Sequence, residues 1–377
     1  MLLKRVYLFY LISFFFIIAN IYWLPFLSIE FISKFKFLVL LLLLILFSIF
    51  FVKKERKYNI NDMWIILAFV FSLFYQILSG VSNFSYFIMF LSFLIFYYMG
   101  KNAGSYSLNN FGISILFLMY LWVFLSFFIP SLNYSNSLLL DYEFSEVMLS
   151  STGFSLARTS WGIGIALLTL YYIHYTSSVK LKTILFILAF LCILTTGSRG
   201  GIIYFLVASV FFIYFKKINA NLKIITTLIL MLTIYLFYYY FGDFFRFKGG
   251  EDFSNGRSSN YNYFFDLISN NYIFGYYPKG GYSLTNYGFQ YDHIHNAWLN
   301  FLLNYGILGS LPVLVILFIF LKNIFGGDYS EKISLYLIVL IGILSTFIEP
   351  DTIFSNGYHV LLFWFTLGLL AQSRKNL

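Results

Sequence analysis

Long apolar runs, broken at intervals by short basic connections, leave this chain one kind of solvent to fold in. Twelve such windows follow one another, at about 6–27, 35–52, 62–80, 84–99, 111–129, 159–177, 183–196, 201–215, 224–241, 296–321, 333–348 and 357–371. A helix crosses the hydrocarbon of a bilayer with roughly 20 apolar residues, fewer where flanking lysines snorkel. The 377 residues are 60% hydrophobic, 24% aromatic and only 10% charged, more apolar surface than a soluble domain of this size can bury. The expected fold is therefore an all-α polytopic integral membrane protein. It has about 12 transmembrane helices and forms a single transmembrane domain over residues 1–377. Lys4 and Arg5 precede an apolar segment that runs on through Trp23 and Pro25 without a small-residue cleavage site, so it reads as the first span. The one cysteine, Cys192, excludes an intramolecular disulfide.

The charge of +9 is sorted by topology. With the N-terminus inside, the inner connections carry Lys53, Lys54, Arg56 and Lys57, then Lys101, Lys180, Lys182, Lys216, Lys217, Lys223, Lys322, Lys332, Arg374 and Lys375. That assignment puts 16 Lys/Arg and 4 Asp/Glu inside, against 8 and 11 outside, as the positive-inside rule asks. Only Lys34 and Lys36 run against it. Both termini are expected in the cytoplasm of a multi-pass protein of the bacterial inner membrane. Two external loops are long, at about 130–158 and 242–295, the latter periplasmic and the larger. Within it, Tyr261 to Ile273 reads as an amphipathic helix lying flat in the interface. The basic balance is thus a membrane signal, and no nucleic-acid partner is expected.

Four of the seven arginines, Arg158, Arg199, Arg246 and Arg257, fall on the acidic external side. Guanidinium binds phosphate bidentately and stays charged at any working pH, so these residues point to a phosphate-bearing ligand there. Ordinary pairing with external acids is the competing explanation, and the better one for Arg246. Arg199 stands in Thr196-Gly197-Ser198-Arg199-Gly200-Gly201 between two short windows. At 1.5 Å per residue those windows reach only about 21–23 Å, less than the roughly 30 Å of hydrocarbon. The turn is expected in a recessed, wet cavity, where an arginine is functional by default. A tight turn with a snorkelling arginine is the bland alternative. Arg158, with Thr159 and Ser160, opens the sixth window as an anion site or, equally, as a capped helix start anchored by Trp161.

Two of the four histidines lie in His293-Ile-His295-Asn296-Ala-Trp298, where the long loop meets the tenth window. The positive end of a helix dipole favours the neutral imidazole, which can accept a proton from a hydroxyl nucleophile. A helix cap at the interface explains the same residues. No third His or Cys stands nearby, so no metal is expected. Gly306 and Gly309 allow close helix packing, and Pro312 is expected to bend the helix. Glu349-Pro350-Asp351 and His359 read more readily as a chain turn than as part of a site. Phosphate-loop, dinucleotide and nucleophile-elbow motifs are absent from the sequence, so no cofactor is expected. With the polar chemistry outside, where nucleotides are scarce, the energy must come from an activated, membrane-borne substrate.

Three ordered motifs over roughly 196–310 resemble the O-antigen polymerase and O-antigen ligase superfamily. They are Thr196-Gly-Ser198-Arg199-Gly-Gly201, then Gly256-Arg257 with Asn271-Tyr-Ile-Phe274-Gly275-Tyr276, then His293-Ile-His295-Asn296 leading to Asn304-Tyr-Gly306-Ile-Leu-Gly309. The second motif departs from the family pattern, with Tyr276-Tyr277-Pro278 in place of a second glycine. The resemblance implies a GT-C-like glycosyltransferase of lipopolysaccharide and surface-polysaccharide biosynthesis. Its donor would be an undecaprenyl-pyrophosphate-linked oligosaccharide, used at the external face without a metal. Arg199, Arg257 and Arg158 would hold the pyrophosphate, with Gly197 and Ser198 in the same turn. His295 would deprotonate or position the acceptor hydroxyl, with His293 and Asn296 binding substrate beside it, and the anomeric centre would invert. Partners would be the lipid-linked glycan, membrane lipid and a chain-length regulator protein.

An O-antigen polymerase joining repeat units is the favoured activity, since the external loops are modest and aromatic. The ligase that transfers a finished glycan to lipid A-core is the alternative with nearly the same chemistry. A transporter or flippase for the lipid-linked glycan is the alternative of another class. The windows lack midplane ionisable residues, which argues against ion coupling.

Overall fold

The computed structural model describes residues 60–81, 85–102, 158–175, 178–196, 199–215, 264–280, 294–324, 329–347 and 358–372, with isolated positions between 220 and 239 and at 349, 353 and 354. Every regular element among them is helical. In chain order they are α1 (Ile60–Leu78), α2 (Ser85–Asn102), α3 (Arg158–Tyr175), α4 (Val179–Thr195), α5 (Arg199–Phe215), α6 (Phe264–Asn271), α7 (Ala297–Ile324), α8 (Tyr329–Ser345) and α9 (Tyr358–Gln372). All but α6 fall on eight of the twelve apolar windows. The first, second and fifth windows lie outside the described residues. In the ninth, the described positions are helical and present exposed Ile224, Leu228, Met231, Leu232, Tyr235 and Tyr239.

Among the described residues, α7 alone is long and apolar enough to cross a membrane by itself, with 28 residues. The other helices carry shorter apolar stretches, such as Met63–Leu78 and Val360–Ala371. Apolar side chains nonetheless stand exposed in stripes of helical spacing. Met63, Ile66, Leu67, Val70, Phe74 and Ile77 form one on α1, and Ile184, Ile187, Leu188 and Leu191 another on α4. A soluble monomer rarely shows such continuous apolar faces, whereas lipid covers them at no cost.

Inside, α9 is the hub. It crosses α2 most extensively and also meets α8, α7 and α3. Backbones touch at that crossing: a β-carbon on Gly100 would run into the Phe365 carbonyl, and one on Gly368 into the Tyr97 carbonyl. Small residues at the contact let two helices approach this closely where lipid supplies no hydrophobic drive. Around it pack Trp364, Phe93, Phe320 and Tyr97, all essentially inaccessible. Phe93 stacks on Trp364 at 4.6 Å, and the Trp364 indole N–H donates to the Ile353 carbonyl at 3.0 Å. A second group, α3, α5 and α8, meets pairwise and brings the starts of α3 and α5 into the same body as α7 and α9.

Helix α8 begins at Tyr329, four residues ahead of its window, and two other features differ from the sequence expectation. Helix α4 starts at Val179, four residues before the apolar window, because the Ser178 hydroxyl accepts from the Leu181 N–H and caps it. Lys180 and Lys182 therefore lie on its first turn. With 17 residues each, α4 and α5 reach about 25 Å, so the turn between them is less recessed than the windows implied. In α7 the irregular point is not Pro312. It is Gly306, with φ 62° and ψ −171°. That backbone is open to glycine and strained for any other residue.

Candidate functional site

The loop segment after α6 fills the break in α7. Gly275, itself at φ 69°, lies against the backbone of Asn304 and Gly306. At Gly306 the i to i−4 ladder is interrupted, and the freed groups bond the loop instead. The Leu303 carbonyl accepts from the Tyr276 N–H at 2.9 Å, while the Ile307 and Leu308 N–H groups donate to the Tyr272 and Ile273 carbonyls at 2.9 and 3.1 Å. Buried backbone groups must find partners, and here two glycines let the two strands of chain exchange them. Gly306 is thus a docking point for the loop that follows α6, not only a packing glycine. Gly309 keeps the packing role, facing the Tyr75 ring.

Tyrosines then tie this junction to the end of α1 and the start of α2. The Tyr75 hydroxyl donates to the Phe274 carbonyl at 2.8 Å, and that of Tyr86 to the Gly309 carbonyl at 2.5 Å. The Tyr277 hydroxyl donates to Gln76 Oε1 at 3.2 Å and accepts from the Tyr86 N–H at 3.2 Å. Helix α6 covers the other side, burying Phe264 and Leu267 against Ile294 and Leu303.

The first half of α7 starts at the His-Asn motif. Asn296 Oδ1 accepts from the Leu299 N–H at 3.1 Å, the cap that its position implies. His295, one residue earlier, is half-buried, with Nδ1 shielded from solvent. This start is stapled to the end of α8. The Ala297 N–H donates to the Thr346 carbonyl at 2.7 Å, and the Trp298 indole N–H to the Thr346 hydroxyl at 2.6 Å. Phe354 closes the corner, packing edge-on to Trp298 and stacked on Phe301.

Three residues beyond Thr346 comes Glu349, buried at 7% exposure. Its N–H donates to the Ser345 carbonyl at 2.9 Å. A β-carbon on Gly200 would stand 3.9 Å from Glu349 Oε1. The carboxylate therefore sits at the first turn of α5, where the helix dipole favours negative charge. Tyr204, one turn along α5, donates from its hydroxyl to the Leu344 carbonyl at 3.4 Å. Through α8 the Arg199-Gly200-Gly201 turn and the His295-Asn296 helix start are thus joined in one corner. The sequence favoured a plain chain turn at Glu349, and the structure adds a buried carboxylate between the two motifs. Its signal in the sequence was charge at the outer end of an apolar window, which the adjacent Pro350 disguised as turn chemistry.

The other site residues divide. Arg158 begins α3 as expected, while Arg199, expected in the turn between two windows, is the first residue of α5; the side chains of both lie outside the described residues. His293, Gly197, Ser198 and Arg257 lie outside them altogether, as does the side chain of His359.

The stretch of chain that holds the sequence motifs is similar to a known family. Residues 184–314 match the O-antigen ligase family model. The match spans about a third of the chain and supports a likeness to the O-antigen ligase and polymerase superfamily, whose members are membrane-bound, glycosyltransferase-like enzymes of O-antigen biosynthesis. It takes in α4, α5, the large loop and the first half of α7, and so two of the three helices that build the corner, without α8. Glu349 and the stapling Thr346 fall beyond it. No curated protein matches the chain.

The staple is open to a direct test. Thr346→Val keeps the side-chain shape and removes the acceptor of the Trp298 indole. A buried donor left without a partner costs about 1–3 kcal/mol. A lower unfolding temperature and a partial loss of activity are expected. An unchanged unfolding temperature would mean that the corner does not depend on this bond.

Proposed function

We propose that the chain is an O-antigen polymerase, joining undecaprenyl-pyrophosphate-linked repeat units at the external face of the bacterial inner membrane. Both termini are then cytoplasmic and the corner built by α5, α7 and α8 faces the periplasm. The observation that carries this reading is the shared corner of the Arg199 turn, the His295-Asn296 helix start and buried Glu349. An arginine beside a helix N-terminus suits a pyrophosphate, and a half-buried imidazole suits a hydroxyl acceptor.

In the proposed step His295 takes the proton of an acceptor sugar hydroxyl. The oxygen attacks the anomeric carbon of the donor from the face opposite the pyrophosphate. The carbon–oxygen bond to the pyrophosphate breaks with its electron pair, and undecaprenyl pyrophosphate leaves. Arg199, Arg257 and Arg158 neutralise the charge that develops on it. No nucleotide is required, since the pyrophosphate is already the leaving group. Glu349 is a positioning residue that holds the first turn of α5 through its charge. Glu349→Gln, nearly isosteric, is expected to lower the turnover number about 10²-fold, the scale of a small misplacement of a catalytic group. Glu349→Asp should restore part of it. Full activity in Glu349→Gln would reduce this residue to chain packing.

The ligase reading keeps a specific support, because the matching family model is described by that activity. The surface polysaccharide of a deletion strain separates the two. Core carrying a single repeat unit indicates the polymerase. Bare core with accumulated lipid-linked polymer indicates the ligase. Ion-coupled transport of the glycan has less support. Glu349 is the one buried charged side chain among the described residues, and it lies at a helix end rather than at the midplane.

A further inference from the structure

We infer that α6 and the turn after it are seated in the outer leaflet of the membrane, with Phe265, Tyr272 and Ile273 as lipid contacts. The inference rests on the membrane-enzyme reading above and adds where its large external loop is anchored. Helix α7 has 28 residues, about 42 Å of helix and more than one hydrocarbon thickness of roughly 30 Å. The break at Gly306 leaves Ile307–Ile324, about 27 Å, which suits one crossing. Gly306 then marks the outer boundary of the hydrocarbon. Below it, Ile307, Leu311, Leu314 and Phe318 are exposed at spacings of one helical face, Phe318 at 70%.

That apolar stripe continues across the break onto the loop. Because Ile307 and Leu308 bond the backbone of Tyr272 and Ile273, exposed Tyr272 and Ile273 extend the stripe upward from Ile307. Phe265, on the first turn of α6, is exposed at 73%. At 100° per residue α6 has three sectors. Phe264 and Leu267 face the protein, Asp266 and Asn270 face away from it, and Phe265 lies between, beside the stripe. The polar groups nearest the apolar sector are satisfied within the helix. Ser269 Oγ and Asn270 Nδ2 both donate to the Asp266 carbonyl, at 2.8 and 3.0 Å. An apolar edge continuous with a lipid-facing stripe, flanked by a water-facing one, fits a bilayer interface.

Nitroxide labels report the seat directly. Cys192 is buried, so single substitutions Phe265→Cys, Asp266→Cys and Phe318→Cys supply the labelled sites in vesicle-reconstituted protein. At 265, collisions with oxygen should exceed those with a water-soluble nickel chelate severalfold, and at 266 the order should reverse. Nickel access at 265 would place α6 in water and overturn the inference. Low access to both reagents at 265 would also overturn it, in favour of a protein cover. Nickel access at 318 would instead overturn the membrane span of α7, and with it the reading beneath. Polymer synthesis by the Phe265→Cys protein is followed in parallel, so loss of the seat and loss of the activity are told apart.

Discussion

Alanine at Arg199 or at His295 is expected to abolish polymer growth while leaving normal amounts of protein in the membrane. The two losses have different physical origins. Removing a preorganised donor to developing anionic charge costs about 10²–10³ in rate, and removing a general base about 10²–10⁴. Either is enough to stop a reaction that must repeat for every unit added. Arg199→Lys should also be poor, because a point charge does not replace a bidentate fork. The length distribution of the surface polysaccharide reads all three variants. Full-length polymer from either alanine variant would remove that residue from the mechanism. Wild-type polymer from Arg199→Lys would show that charge alone matters at that position.

The second large effect is structural and falls on two glycines. Gly306→Ala places a β-carbon where the Ile273 carbonyl and the Gly275 N–H already stand, in a backbone region that only glycine occupies freely. The strain alone is about 1–3 kcal/mol, and the overlap adds to it. Relief would require the loop to leave the break, exposing the Leu303 carbonyl and the Ile307 and Leu308 N–H groups that it now satisfies. Gly275→Ala meets the Asn304 backbone at φ 69° and should behave alike. Both variants are expected to lose the compact, detergent-stable protein, seen as a lower unfolding temperature and faster proteolysis in the large loop. Gly280→Ala is the control, since it has positive φ and nothing nearby to meet. It should cost the strain alone. Equal effects at 280 and 306 would mean that the docking of the loop contributes nothing.

These residues also mark how far the sequence could be read. Apolar windows located eight helices because burial in lipid or in a helical core leaves the same long oily runs. A capped helix start was legible at His295-Asn296, since a cap follows from local chain chemistry, but the sequence reading gave the cap to the histidine and the structure gives it to Asn296. Ser178 was not seen, because a window that counts apolar residues stops at Lys182 and Lys180, although both tolerate a first helical turn. Gly306 looked like a packing glycine, because its break exists only in combination with Gly275, about thirty residues earlier in chain. Glu349 shows the same limit from the side of charge. Its neighbour Pro350 reads as a turn, while its burial beside Gly200 depends on how α5 and α8 pack. Local chemistry is visible in one sequence, and pairings across the fold are not.

The corner of Arg199, His295 and Glu349 is expected to form glycosidic bonds on a lipid-linked donor. The most direct measurement supplies purified protein in vesicles with undecaprenyl-pyrophosphate-linked repeat units and no nucleotide. Lipid-linked polymer should lengthen, with one undecaprenyl pyrophosphate released per bond, and the His295→Ala protein should produce neither. Movement of the repeat units across the vesicle membrane without any new glycosidic bond would contradict the claim.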